Sequence, residues 1–414
     1  MSRWFWYLSQ LKRTLWVRAT LISLLAVAAA LVSLIAGPWL PQGLSTEIGA
    51  DAVDQILNII ASSMLAVTTF SLSTMIAAYS AATGNVTPRA TKLLLEDTTT
   101  LNVLATFVGA FLYSLVAIIT LSMGAYGERG RVVLFVVTIF VVVLIVVTLL
   151  RWIDYLRRLG RVGETTAQVE TATEQAFRRR ARHPHLGALP APADGGAPKG
   201  ARPVYPTKIG YVQHIAVDEL DALAGERKVV LHVAVLPGSF VDPGRPLAHV
   251  EGEESEDEAK AVRTAFTVGE ERTFSQDPRF GIIVMAEIAS RALSPAVNDP
   301  GTAIDVLGRL VRIISLWSGS IEPDKPEYQN VRVPPVTIDE VFDDAFAPIA
   351  RDGAALAEVQ IRLQKALAAL ARSGDSRFRS SALRHSRQAL ARAEASLSLP
   401  EDRNRVQDAA STVA

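Results

Sequence analysis

Four long apolar runs lie in the first 153 residues of the chain and determine its predicted architecture. Each run is about twenty residues or longer, the length that an α-helix needs to cross a hydrocarbon core of roughly 30 Å. We therefore predict a membrane domain of four transmembrane helices over residues 19–153. The predicted spans are Ala19–Trp39, Ile56–Ala82, Leu101–Met123 and Val132–Ile153.

Basic residues in the short loops predict how these helices are oriented. Arg and Lys residues precede the first run and follow the fourth, whereas the loop after the first run has none. Because cytoplasmic loops carry an excess of Lys and Arg, we place both termini in the cytoplasm. Residues 1–18 mix aromatic and basic side chains, which predicts an interfacial segment. Arg129 and Arg131 in the third loop depart from this pattern.

The second run differs from the others because a narrow polar stripe follows one of its faces. An α-helix advances by about 100° per residue, so side chains at helical spacing stay within about 40° of one line. The residues of this polar stripe are Asp51, Gln55, Asn58, Ser62, Thr69, Ser73 and Ser80. The opposite face carries Leu57, Ile60, Met64 and Met75.

Two interpretations of the polar stripe remain open. Small residues and hydroxyls allow spanning helices to pack closely, which makes the stripe a helix–helix interface. Alternatively, copies of this helix surround a water-filled path in which hydroxyls replace part of an ion's hydration. The extension of the stripe to Gln55 and Asn58, which are not small, favours the pore. In that arrangement Asp51 forms an acidic ring at the outer mouth.

The predicted function is therefore a homo-oligomeric plasma-membrane channel with a cytoplasmic assembly or gating domain. One copy of a single striped helix cannot enclose water, which is why symmetric self-association is expected. The expected partners are the lipid bilayer, further copies of the chain and small inorganic ions. The alternative is a non-conducting membrane scaffold or sensor whose cytoplasmic domain binds a partner or a small ligand.

Composition removes several other classes of activity. The 42 basic and 42 acidic residues give a formal net charge of zero, so no global field favours nucleic acid as a partner. The chain has no cysteine, which removes disulfides, thiolate nucleophiles and cysteine-ligated metals. Phosphate-binding glycine loops, nucleophile elbows and zinc-protease motifs are also missing from the sequence. We therefore predict neither an enzyme nor a cofactor or metal site.

The rest of the chain is typical of a cytoplasmic α+β region, so the predicted class is an α-helical integral membrane protein with such a region attached. Helical spacing predicts a membrane-proximal helix over 154–182, and Pro, Ala and Gly predict a flexible linker over 183–206. Alternating apolar and polar residues with Pro-Gly turns predict a small β domain over 207–258. Amphipathic spacing predicts a helical domain over 259–400, followed by a disordered tail over 401–414.

The stretch RTFSQDPRFGIIVMAEIASRALSPAVNDPGTAI, residues 272–304, combines a helical pattern with a turn rich in Pro, Asn and Asp. A ligand pocket is one interpretation of its polar residues. We favour a structural corner, because each of these side chains has a free backbone group nearby to satisfy. The residues concerned are Gln276, Asp277, Arg291, Asn298 and Asp299.

Three segments carry a family resemblance: TPRATKLLLEDTTTLNVLATFVGAFLYSLV (87–116), GYVQHI (210–215) and QDPRFGIIVMAEIASRALSPAVNDPGTA (276–303). Together they resemble the bacterial predicted-membrane-protein family named domain of unknown function 2254. The first segment departs from the family pattern at DTTTLN, where members carry a basic residue and a glutamine after the Asp. The resemblance implies four spans in the bacterial inner membrane and a cytoplasmic region. It implies no established activity.

Overall fold

The computed structural model describes residues 15–36, 50–95, 98–126, 128–191, 198–251, 256–319 and 321–413. These residues fall into two compact units. We call residues 7–84 with 91–164 the membrane unit, and residues 85–90 with 165 onward the soluble unit, in each case for the described residues only.

Three of the four predicted spans are confirmed as helices of spanning length. The helices of this region are α1 (Leu15–Ala36), α2 (Ala50–Asn85), α3 (Pro88–Leu95), α4 (Thr98–Ser122) and α5 (Glu128–Leu156). Helices α2, α4 and α5 each contain a stretch long and apolar enough to cross a membrane. The described apolar part of α1, Ala19–Val32, is shorter. The first span and the orientation of the termini therefore stay predictions.

Close contact between α1 and the helices α4 and α5 organises the membrane unit. A side chain on Gly109 of α4 would place its Cβ 2.8 Å from Ile22 Cγ2 of α1, so the glycine allows the two helices to approach. The hydroxyl of Tyr126 donates a hydrogen bond to the carbonyl oxygen of Ala30, also in α1, at 2.8 Å. Small residues and a buried hydroxyl thus hold α1 against the bundle.

The soluble unit contains two β-sheets. The strands are β1 (Ala188–Pro190), β2 (Arg202–Val204), β3 (Gly210–Ile215), β4 (Val230–Val233), β5 (Phe240–Val241), β6 (Ala248–Glu251), β7 (Phe266–Gly269) and β8 (Tyr328–Val333). The larger sheet has the order β1-β8-β4-β6-β2, in which β8 runs parallel to both of its neighbours. The smaller sheet has the order β5-β3-β7 and is antiparallel. Both sheets share one apolar core.

Nine α-helices accompany these strands in the described residues from 162 onward. They are α6 (Val162–Arg182), α7 (Val217–Arg227), α8 (Glu256–Ala265), α9 (Pro278–Ala292), α10 (Pro300–Ile314), α11 (Ile338–Asp352), α12 (Ala357–Ser373), α13 (Ser376–Ser396) and α14 (Pro400–Ser411). Helices α9 to α14 pack against one another in pairs, and α12 contacts both α13 and α14. The predicted membrane-proximal helix corresponds to α6.

Two segments predicted to be flexible or disordered form regular structure. Strands β1 and β2 lie within 183–206, where we predicted a linker, and the sheet region extends past 258 through β7 and β8. Strand β1 pairs with β8, some 140 residues away, so the local sequence pattern does not indicate this pairing. The tail over 401–414 is largely α14, whose Val406 is buried against Ala393 and Leu397.

Helix α13 carries a buried histidine, His385, from which we expect a pH-dependent contribution to stability. His385 is 3% exposed and packs against Phe342 and Phe346. Its Nε2 lies 3.0 Å from Oδ1 of Asp343. Burial, with a further contribution from Arg384, lowers the pKa of His385 below its ordinary value. The unfolded chain therefore takes up this proton first as the pH falls below about 6.5, which favours unfolding.

We expect His385→Gln to lose less thermal stability than the parent protein when the pH falls from about 7 to about 5. Glutamine keeps a polar side chain of similar reach but does not titrate. The measurement is the unfolding midpoint of the full chain in detergent across this range. Equal pH dependence of the two proteins would show that the His385 imidazole does not contribute.

Candidate functional site

The polar stripe predicted from the sequence lies along α2 and is exposed on this chain. The side chains of Gln55, Asn58, Ser62, Thr69, Ser73 and Ser80 are all exposed. Asp51 lies in α2, but its side chain is outside the part of the chain that the structure describes.

The opposite face of α2 packs against the other helices of the membrane unit. Val53 and Leu57 belong to one buried cluster, and Ile60 and Met64 to a second cluster with Phe107 of α4. With about 100° per residue, these side chains point roughly 140–180° away from Ser62. The polar stripe therefore faces away from the packed side of its own helix.

Large apolar side chains border the polar stripe on both sides. Ile59, Leu65, Phe70 and Ile76 are all more than half exposed. Each lies about 40–80° from the line through Ser62 on an α-helix. The stripe is thus a narrow polar line between two rows of exposed apolar side chains, which we call the apolar shoulders.

Three of the four hydroxyl groups in the stripe donate their hydrogen within α2. Ser62 Oγ donates to the carbonyl oxygen of Asn58 at 2.9 Å, and Ser73 Oγ donates to that of Thr69 at 3.0 Å. Thr69 Oγ1 donates to the Leu65 carbonyl oxygen at 2.5 Å. A hydroxyl has one hydrogen and two lone pairs, so what these groups present outward is acceptor capacity. Such a surface suits water or a small cation.

The second predicted group begins at the start of α9. The Gln276 side chain accepts a hydrogen bond from Ile215 N at 2.9 Å and donates one to Ile215 O at 3.3 Å. The Gln276 side chain thereby satisfies both backbone polar groups of Ile215, the last residue of strand β3. Asp277 is 2% exposed and is the N-cap of α9, with Oδ1 accepting from Phe280 N at 3.2 Å. Its Oδ2 accepts from Arg272 Nε at 2.8 Å.

A second guanidinium, which is buried, joins this cluster from α6. Arg180 is 5% exposed and donates to the Gln276 carbonyl oxygen at 2.9 Å. Burial lowers the pKa of Arg180 to about 10, opposed by the nearby Asp277 carboxylate. Burial also raises the pKa of Asp277, although Arg272 and Arg180 oppose this rise. The cluster of Arg180, Arg272 and Asp277 is therefore a largely buried junction between α6, β3 and α9.

Gly238 completes this junction because no other residue fits there. Its φ is +93°, in the left-handed region, and a Cβ at this position would lie 2.6 Å from the Asp277 carboxyl carbon. The backbone of residue 238 is thus held directly against the buried carboxylate.

The remaining predicted residues lie at the far end of α9. Arg291 is in its last turn, and α9 has 15 residues, which separates its ends by about 20 Å. Asn298 adopts φ +49°, and Asp299 caps α10 by accepting from Thr302 N at 3.1 Å. Hydrogen bonds from Thr302 lower the pKa of Asp299. The structure therefore does not bring the five residues into one pocket, and their backbone contacts fit a structural corner.

Sequence comparison assigns the chain to a family. The profile described as predicted membrane protein (DUF2254) matches residues 12–369. The chain belongs to this family. It is 31% identical over 175 residues to uncharacterized proteins of Mycobacterium bovis and of two Mycobacterium tuberculosis strains. The match covers 41% of this chain but only 31% of each relative, so this DUF2254 protein spans about a third of their length. No solved structure matches it.

Several residues of this DUF2254 protein were missed by the sequence analysis. Arg272 and Arg180 lie in charged segments that are typical of solvated surface, so nothing local marked either of them as a neighbour of the buried Asp277. Glu287 of α9 forms an ion pair with Arg89, almost two hundred residues away in the chain. Within the described ranges, no group of three or more His, Asp or Glu side chains is placed to hold a metal ion.

Proposed function

We propose that this DUF2254 protein is a homo-oligomeric channel of the bacterial plasma membrane whose pore is lined by α2. In this proposal α1 is a fourth span and both termini are cytoplasmic. The observation that carries the proposal is the polar stripe, which is exposed and lies opposite the packed face of α2.

The membrane environment explains why this arrangement calls for further copies of the chain. Polar side chains that face lipid are costly, so intramembrane polar residues turn toward protein or water. In a symmetric ring the polar stripe of each copy faces the axis, while shoulders such as Leu65 and Phe70 pack against neighbouring copies. The outward lone pairs of the hydroxyls then face the permeation path, which favours small cations.

A specific observation also supports the alternative of a non-conducting scaffold. Hydroxyls that bond back to the carbonyl four residues earlier need no further partner, which suits a dry interface between spanning helices. The two functions differ in whether water reaches the stripe.

Single cysteines placed along α2 measure this directly, because the chain has no cysteine of its own. We expect a membrane-impermeant thiol reagent to label Ser62→Cys, Thr69→Cys and Ser73→Cys in native membranes. We expect Leu57→Cys and Met64→Cys to stay protected, since these positions are buried in the bundle.

Flux measurements in reconstituted vesicles complete the test. We expect Ser73→Leu to abolish cation flux while the oligomer stays intact, because leucine fills the path without changing the shoulders. Protection of all three stripe positions, together with loss of the oligomer in Ser73→Leu, would instead establish a packing interface and overturn the channel.

A further inference from the structure

The outer face of the smaller sheet in the soluble unit carries exposed apolar side chains. Val212 and Val241 point into the core and are buried, so their neighbours point outward. Tyr211 and Phe240 are cross-strand partners whose rings lie 5.2 Å apart. Phe240 is 48% exposed, and Ile209, which immediately precedes β3, is 65% exposed.

A basic segment leads into this face. Residues 198–211 contain Lys199, Arg202 and Lys208, all exposed, and no acidic residue. The same segment holds Tyr205, which is 41% exposed. Alternation of aromatic and basic side chains is the composition of segments that sit at the surface of a membrane.

The charges around the smaller sheet are distributed unequally. Arg245 is exposed and donates to the Phe240 carbonyl oxygen at 3.1 Å, which adds a cation beside β5. The carboxylate of Asp242 in the same turn accepts from Gly244 N at 2.7 Å. The acidic pair 270–271 follows β7, at the opposite edge of the sheet. The exposed cations beside Ile209 and Phe240 are therefore Lys208 and Arg245, with the Asp242 carboxylate in the same turn as Arg245.

The small size of the apolar patch favours a lipid surface over a second protein. Half-exposed aromatic side chains offer on the order of 100 Å² each. A stable protein–protein interface buries about 800 Å² on each partner. Docking on a lipid surface needs far less buried area. The spanning helices tether the soluble unit to the bilayer and keep its effective concentration there high.

We propose that this basic-aromatic face, formed by Tyr205, Ile209 and Phe240 with Lys199, Arg202 and Lys208, docks on the anionic surface of the membrane that anchors the chain. The apolar side chains enter the headgroup region, and the cations contact anionic headgroups. This inference does not depend on whether α2 lines a pore.

The test uses the full chain reconstituted in vesicles of phosphatidylcholine with or without phosphatidylglycerol. A polarity-sensitive fluorophore is attached to Ile209→Cys and, as a control, to Val297→Cys at an exposed position of the α9–α10 corner. Spin-labelled lipids quench a fluorophore that enters the headgroup region. We expect quenching and a blue shift at residue 209 only when phosphatidylglycerol is present, and an aqueous spectrum at residue 297 in both vesicles.

Charge variants separate headgroup binding from other contacts. We expect Arg202→Gln with Lys208→Gln to weaken docking about 30-fold, at about 1 kcal/mol for each cation. Arg372→Gln with Arg379→Gln removes the same charge from exposed positions elsewhere and should leave docking unchanged. An aqueous spectrum at residue 209 in both vesicles would overturn the proposal. So would a signal that depends on protein density rather than phosphatidylglycerol, which would assign this face to a contact between copies.

Discussion

Asp277→Ala is expected to lower the free energy of unfolding of the soluble unit by about 3–5 kcal/mol. The substitution removes the N-cap of α9, which by itself is worth about 1 kcal/mol. The larger loss comes from the two guanidiniums, because the substitution leaves the buried Arg180 and the partly buried Arg272 without the carboxylate beside them. Removing one member of a buried charge cluster is more damaging than removing an exposed pair.

The matched control is Asp299→Ala, which removes an N-cap of the same type from an exposed position on α10. It should cost only about 1 kcal/mol. Pulse proteolysis of the full chain in detergent, across a denaturant series, measures both variants on the same protein. Equal losses at the two positions would mean that the buried charges contribute nothing beyond the cap.

The spanning helices were predictable because the bilayer requires a long apolar run whatever the rest of the fold does. The polar stripe was equally accessible, since helical geometry alone places Ser62, Thr69 and Ser73 on one line. The structure adds that this line is exposed and lies opposite the packed face of α2. That fact depends on how α2 meets α4 and α5, which no local pattern contains.

The soluble unit shows where sequence reasoning fails. The local pattern around strand β1 predicts a linker, because the partner of this strand, β8, is remote in the chain. Arg180 lies in a run of arginines that is typical of a solvated helix end, yet tertiary contacts bury it. Asp277 and Asp299 both precede proline and a helix, and the sequence predicts a local backbone contact for each but not which one is buried.

A glycine in α9 supports the second large prediction. A Cβ on Gly281 would lie 2.7 Å from both Cβ and Cγ2 of Thr173 in α6. Thr173 is fully buried, and its hydroxyl donates to the Val169 carbonyl oxygen at 2.6 Å, so it has no room to move. We expect Gly281→Val to destabilise the soluble unit by about 3 kcal/mol through overpacking. This steric cost exceeds the gain in helix propensity on replacing glycine, which is below about 1 kcal/mol.

The contact between Gly281 and Thr173 also predicts a second substitution that restores the stability lost in Gly281→Val. Thr173→Gly removes the side chain that the new valine meets. In the double variant, a branched side chain at residue 281 of α9 takes the place of the similarly shaped one at residue 173 of α6. We expect it to recover most of the loss, less about 1 kcal/mol for a glycine within α6. Gly308→Val in α10 is the matched control, since a Cβ there meets nothing within 4 Å. Additive losses for Gly281→Val and Thr173→Gly would show that the two residues do not meet, because only side chains in contact produce a coupling energy.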